Sequence, residues 1–231
     1  MSLKWMCIAV LACLPCAGLA EGVRQITVVG EGHIDSAPDM ATVTLGVTTE
    51  AKGAREAIDE NSRAMAAVLT RLGEAGIAER DLQTSDFSVW PRYDQRSLPD
   101  GTQGIAGFVA QNTVLVRVRD LNGLGGILDA VARDGANRFQ GLSFGLQDPG
   151  PAEDAARKAA VTEAKRKAAL YAEAAGVALG DLVTLSEEMS ARPGPVMMQA
   201  EMLRSASNEV PVASGEVSVT ARVVLVYEIG E

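Results

Sequence analysis

The sequence predicts an α+β protein whose mixed or antiparallel sheets are covered by helices on one face, with elements in the order ββαββαβαββ. Three observations carry this. Apolar residues alternate with a period of two in five segments, the mark of strands with one buried face, and two shorter apolar runs read as strands beside them. Three other segments place apolar residues three and four apart, the mark of amphipathic helices. Hairpin-length turns are mixed with longer crossovers, which favours helices on one sheet face over a fully wound parallel sheet.

Taken in order, Ile26-Thr27-Val28-Val29 reads as a short strand ending in a turn at Gly30-Glu31-Gly32, and Ser36-Ala37-Pro38-Asp39 as a second turn. Val43, Leu45 and Val47 alternate with Thr42, Thr44 and Thr48 in a strand over residues 41–49. Between Ala54 and Leu72, Ile58, Met65, Val68, Leu69 and Leu72 share a helical face, and Gly76 supplies the stop. Phe87, Val89 and Tyr93 form a further strand, marked by Pro91 as irregular or at an edge. The polar stretch Gln95 to Gly104 is the tip of a hairpin whose second arm runs from Phe108 to Arg119. Leu121, Leu124, Ile127, Leu128 and Val131 give a short helix ended by Gly135, and Leu142, Phe144 and Leu146 another strand. Gly150-Pro151 then opens a helix that closes at Gly176, with proline at the first helical position. Glu153 with Arg157, Asp154 with Lys158 and Glu163 with Lys167 support it as acid-before-base pairs four apart. Its inner stripe is Val161, Ala164, Ala168 and Tyr171 or Ala172. Strands at 182–185 and 217–229 complete the set around a non-periodic excursion from Glu187 to Ala213.

The 231 residues include 30 acidic and 21 basic side chains, a net charge of -9. Such a surface repels phosphate backbones, and no run of Lys or Arg offsets this locally, so nucleic acid is excluded as a partner. Cys7, Cys13 and Cys16 are the only cysteines. They fall in an opening segment with Lys4, an apolar run from Trp5 to Leu14 and small residues ending at Ala20, the pattern of a cleavable export signal over residues 1–20. The expected location is therefore the periplasm, with outer-membrane association through a lipid on Cys13 as a variant, and no transmembrane segment after cleavage. Residues 21–231 then divide into one α+β part made of 21–107 with 181–231 and a central βαβα part over 108–180.

No motif assigns a reaction. Gly141-Leu142-Ser143-Phe144-Gly145 has the spacing of a nucleophile elbow, but Ser143 lies inside an alternating strand and His33, the sole histidine, precedes it. Gly30-Glu31-Gly32 follows a strand as a dinucleotide fingerprint does, yet a third glycine and a helix are missing, so a tight turn is expected. His33 with Asp35 or Glu31 lacks the further ligands of a metal centre. Met197, Met198 and Met202 form a methionine-rich segment with Met189. Thioethers bind Cu(I) and absorb oxidants, which gives the alternative of a copper or oxidant scavenger, though an apolar contact face accounts for the same residues. Trp90, Arg92 and Tyr93, with Phe87, combine aromatic and guanidinium groups as interfaces do, while Phe87 and Tyr93 share a parity that would face a core. A hydrolase of unknown substrate is the remaining alternative. The expected catalytic, cofactor and metal residues are none, and the expected partner is the chain itself.

The combination of Gly30-Glu31-Gly32 with Ala37-Pro38-Asp39-Met40-Ala41, Ala75-Gly76-Ile77, Asp81-Leu82-Gln83-Thr84, Gly135-Ala136-Asn137 and Leu142-Ser143-Phe144 resembles the SIMPL domain family, DUF541. The match continues through Ala155, Lys158-Ala159-Ala160, Ala164, Lys167-Ala168 and Tyr171-Ala172 before Gly176. The resemblance implies an exported bacterial protein with a two-part α+β architecture, ring-like homo-oligomers and a link to oxidative-stress tolerance. It implies no active site and no cofactor.

Overall fold

A computed structural model describes residues 24–97, 103–188 and 212–230. The elements are β1 (Gln25–Ser36), β2 (Met40–Ala51), α1 (Ala54–Glu74), β3 (Leu82–Ser97), β4 (Gln103–Val118), α2 (Leu124–Arg133), β5 (Arg138–Gly145), α3 (Gly150–Ala175), β6 (Ala178–Glu188) and β7 (Val217–Gly230). This is the expected ββαββαβαββ order. The strands form a three-stranded sheet, β1-β7-β6, and a four-stranded sheet, β3-β4-β2-β5. Every pairing is antiparallel.

In the four-stranded unit, alternation puts Val43, Leu45 and Val47 of β2 beside Val114, Val116 and Val118 of β4 on one face. Met65, Val68 and Leu72 of α1 and Leu124, Leu128 and Val131 of α2 close over them. Each such side chain contributes about 1.5–3 kcal/mol when fully buried, so this face holds the larger core. Asn61, a polar residue, lies on the buried stripe of α1. Its Nδ2 donates to the carbonyls of Val47 at 2.9 Å and Ala110 at 3.0 Å, tying the helix to both central strands.

The second unit is α3 laid on β1 and β7. Here the expected turn at Gly30-Glu31-Gly32 is corrected, because β1 runs straight through it and pairs with β7 from Gln25↔Glu228 to Ser36↔Val217. The glycines serve helix approach. A Cβ on Gly30 would lie 2.0 Å from the Ala160 carbonyl oxygen, and one on Gly32 would lie 1.9 Å from that of Ala156. The facing stripe of α3 is Ala156, Ala160, Ala164, Ala168 and Ala172, all buried, while Val161 is partly buried and Tyr171 is half exposed. Gly176 ends the helix in the left-handed region at φ 68°, as the sequence predicts.

The expected division of the chain is also corrected. Strand pairing groups β2 to β5, within residues 40–145, into the four-stranded unit and β1, β6 and β7 into the other, onto which α3 packs through β1 and β7. β2 and β3 pair with β4 and not with the C-terminal strands. Periodicity identifies strands but not their partners. The deciding match is the glycine pair of β1 with the alanine stripe of α3, which draws those two distant segments into one unit.

Candidate functional site

The hairpin of β3 and β4 outreaches its sheet. β2 ends at the pair Ala51↔Phe108, whereas β3 and β4 continue through Arg92↔Gly107 and Tyr93↔Ile105 to Ser97↔Gln103. Among the described residues no third strand pairs with the hairpin beyond that point, and a two-stranded ribbon is marginal alone in water. It nevertheless carries large apolar side chains in the open: Tyr93 is 51% exposed, its cross-strand partner Ile105 57%, and Trp90 at the root 40%. Arg92 is held by Glu50 at 3.2 Å. The three expected contact residues, Trp90, Arg92 and Tyr93, thus occur together where the ribbon leaves the sheet. The expectation that Phe87 and Tyr93 face the core is corrected, since both are 51% exposed. β3 is an edge strand, and register shifts between Thr84 and Asp86 and between Arg92 and Tyr93 break its parity. The hairpin tip, residues 98–102, lies outside the described residues.

A polar clasp joins the two connections between the units. The backbone N–H of Asp39 donates to the Gly145 carbonyl at 3.2 Å. The backbone N–H of Gln147 donates to Asp39 Oδ1 at 2.7 Å, and its Nε2 donates to the Asp39 carbonyl at 2.9 Å. Arg119 Nη1 reaches Gln147 Oε1 at 2.9 Å, while its Nε and Nη2 fork onto Asp81 at 2.8 and 2.7 Å. The Arg119 hydrogen bonds hold the buried Asp81 carboxyl below the usual carboxylate range, against the opposing effect of burial and with help from Arg80 and Arg117. From the sequence, Asp39 is marked only as a turn residue and by the family resemblance, and Asp81 by the resemblance alone. Arg119 and Gln147 were missed, because 38 residues separate Asp81 from Arg119 and no local spacing records such a pair.

The other candidates are placed as follows. Ser143 lies within β5, beside Thr42 of β2. His33 lies in β1 with Nε2 2.8 Å from Asp35 Oδ1, and Ser218 Oγ donates to the same oxygen at 2.5 Å. The carboxylate therefore stands between hydroxyl and imidazole, which is not the order that lets a histidine take a serine proton. Among the described residues, no group of three or more His, Cys, Asp or Glu could hold a metal ion. Met189, Met197, Met198 and Met202, along with residues 1–20 and Cys13, lie outside the described residues.

Comparison with known proteins gives consistent matches over nearly the whole chain. The SIMPL family, described as a protein of unknown function (DUF541), matches residues 26–227. The 26 kDa periplasmic immunogenic protein of Brucella melitensis is 39% identical over 214 residues, 89% of this chain and 84% of the relative. The uncharacterized protein YggE of Escherichia coli K12 is 29% identical over 208 residues, 86% of this chain and 83% of the relative. Its counterpart in Edwardsiella ictaluri is 29% identical over 179 residues, 78% and 74% of the two chains.

Proposed function

Because the chain belongs to the SIMPL family, we propose that it is an exported periplasmic protein that assembles with copies of itself and contributes to envelope or oxidative-stress tolerance without a catalytic centre. The observation that supports assembly is the β3–β4 ribbon. Among the described residues no third strand pairs with it beyond Phe108, and Tyr93 and Ile105 stand exposed along it with Trp90 at its root. Exposed edges and apolar side chains of this kind are what pairing with another chain covers. A contact from the ribbon of one copy to a different face of the next is heterologous, and such contacts close into rings when the rotation allows.

The periplasmic location is supported by the name of the Brucella relative and by the export pattern of residues 1–20. Among the described residues, no helix is long and apolar enough to cross a membrane. The stress-tolerance role follows from the family resemblance.

Light scattering across a concentration series tests the reading. The purified protein is expected to run as an oligomer, and the double variant Tyr93→Ser with Ile105→Ser as a smaller species with unchanged circular dichroism. A wild-type monomer at every concentration would refute assembly. An unchanged mass in the double variant would refute the ribbon as the contact.

A further inference from the structure

On the face of the four-stranded sheet turned away from α1 and α2, three polar side chains occupy one rung. Arg117 of β4 pairs with Thr42 of β2, and Thr42 pairs on its other side with Ser143 of β5. Val116 and Val43, next to Arg117 and Thr42, point into the helical core and are at most 3% exposed, and Phe144, next to Ser143, packs against that core, so the alternation of the strands sends Arg117, Thr42 and Ser143 to the opposite face. The three line one cleft of about 760 Å³, with Met40, Arg119 and Gln147 at its end next to the clasp. Among the described residues, no Asp or Glu lines it.

That absence is informative in a chain with nine more acids than bases. Arg119 spends its fork on Asp81 and Gln147. Arg117 makes no hydrogen bond or ion pair with a described residue, and neither do the hydroxyls of Thr42 and Ser143. The Arg117 guanidinium, which acts on the Asp81 carboxylate through its charge but without a hydrogen bond, is thereby held beside two hydroxyls that bond to no described residue, within a cleft whose volume suits a small molecule.

We propose that this cleft binds a phosphoryl group, with Arg117 forking onto two of its oxygens and Thr42 and Ser143 donating to the others. A guanidinium fork fits the oxygens of a phosphate or carboxylate equally well. The hydroxyls separate the two, because donors set on neighbouring strands stand to one side of the fork and meet the out-of-plane oxygen of a tetrahedral group. The site is independent of the ribbon and of self-assembly.

Titration calorimetry of the purified protein at constant ionic strength tests it, with inorganic phosphate and with acetate. Saturable phosphate binding is expected, at least tenfold weaker in Arg117→Gln and severalfold weaker in Thr42→Val and in Ser143→Ala, the last being an exposed position where folding is not at stake. Vesicles of phosphatidylcholine with and without phosphatidylglycerol distinguish the source. Arg117-dependent binding to the phosphatidylglycerol vesicles, competed by phosphate, assigns a lipid headgroup. Phosphate binding without vesicle binding assigns a free phosphoryl compound. Phosphate affinity equal in wild type and Arg117→Gln, acetate binding as tight as phosphate, or no saturable phosphate binding would each overturn the proposal.

Discussion

Replacing Gly32 by alanine adds one methyl group and is expected to be among the most damaging small substitutions in the chain. The added Cβ would sit 1.9 Å from the Ala156 carbonyl oxygen and 2.6 Å from the Ala160 nitrogen. Restoring an ordinary contact of 3.4 Å requires α3 to back away from β1 by about 1.5 Å. That motion opens the seam sealed by Ala156, Ala160 and Ala164, each 0% exposed. Overpacking typically costs about 1–3 kcal/mol and occasionally more, and a rigid backbone obstacle places this case at about 3 kcal/mol. At about 2–4 °C per kcal/mol for a protein of this size, the melting temperature should fall by about 6–12 °C.

Two controls separate this reasoning from a generic effect of alanine. Gly73 in α1 has nothing within 4 Å of its would-be Cβ, so Gly73→Ala should raise stability by about 0.5–1 kcal/mol through backbone entropy and helix propensity. Adding Ala156→Gly to Gly32→Ala should give no rescue, because the obstacle is a carbonyl oxygen and not the alanine methyl. Thermal melts followed by circular dichroism measure all three. A Gly32→Ala melting temperature within about 2 °C of wild type, or full rescue by Ala156→Gly, would refute the close-approach argument.

Acid should destabilise the fold through two carboxylates. Asp81 is held below its ordinary value by Arg119, and Glu163 is lowered from 4.5 to about 2 by its Arg166 hydrogen bond with Lys167 adding. Both folded values lie below the unfolded ones, so the unfolded chain binds more protons in the acid range; the stabilisation is present above about pH 4.5 and lost as pH falls toward 2. Melting temperatures across that window should fall, and Asp81→Asn should flatten the slope. Near neutral pH, Asp81→Asn should cost about 1–2 kcal/mol, the low end for a broken charged pair because Arg119 is 40% exposed and water can take its fork. Asn61→Ala should cost about 1–3 kcal/mol by leaving the Val47 and Ala110 carbonyls without their donor. Asn61→Asp should be worse in chemical denaturation, since it turns a carboxylate toward two carbonyl oxygens inside a core; equal stability of Asn61→Asp and wild type would contradict that.

What the sequence disclosed follows from the range of the interactions involved. Element types and order rest on local periodicity, and α3 with its proline start and left-handed Gly176 stop was legible to within a residue. Gly30-Glu31-Gly32 misled, because glycine marks both turns and close backbone approaches, and only the alanine stripe more than 120 residues later distinguishes them. Strand partnership was likewise illegible: alternation in β2 fits a neighbour in β4 or in β7 equally well. Trp90, Arg92 and Tyr93 stand out by type, but their exposure depends on β3 lying at the sheet edge and on β2 stopping at Ala51, facts about the pairing of other strands. Arg117 gave no signal, since its significance lies in the rung it shares with Thr42 and Ser143 and in the carboxylate that Arg119 takes first.

The residues that carry the family resemblance are largely accounted for by the fold. Gly30 and Gly32 admit α3; Asp39 ties the connections between the units together; Asp81 takes the fork of Arg119. Asn137 exchanges two 2.8 Å hydrogen bonds with the backbone of Thr48, where its side-chain amide stands in for a strand neighbour. Lys167 donates to the Val29 carbonyl at 3.0 Å, pinning α3 to β1. Their polar chemistry is consumed inside the molecule, so a shared pattern of this kind specifies a shape before it specifies a reaction. Ser143 differs from them. It belongs to the same pattern, yet its hydroxyl bonds to no described residue and opens into the Arg117 cleft. Burial gives no reason for a serine at that position, as leucine or threonine would serve an exposed strand as well. The proposed phosphoryl ligand would give one, and the Ser143→Ala calorimetry decides between the two.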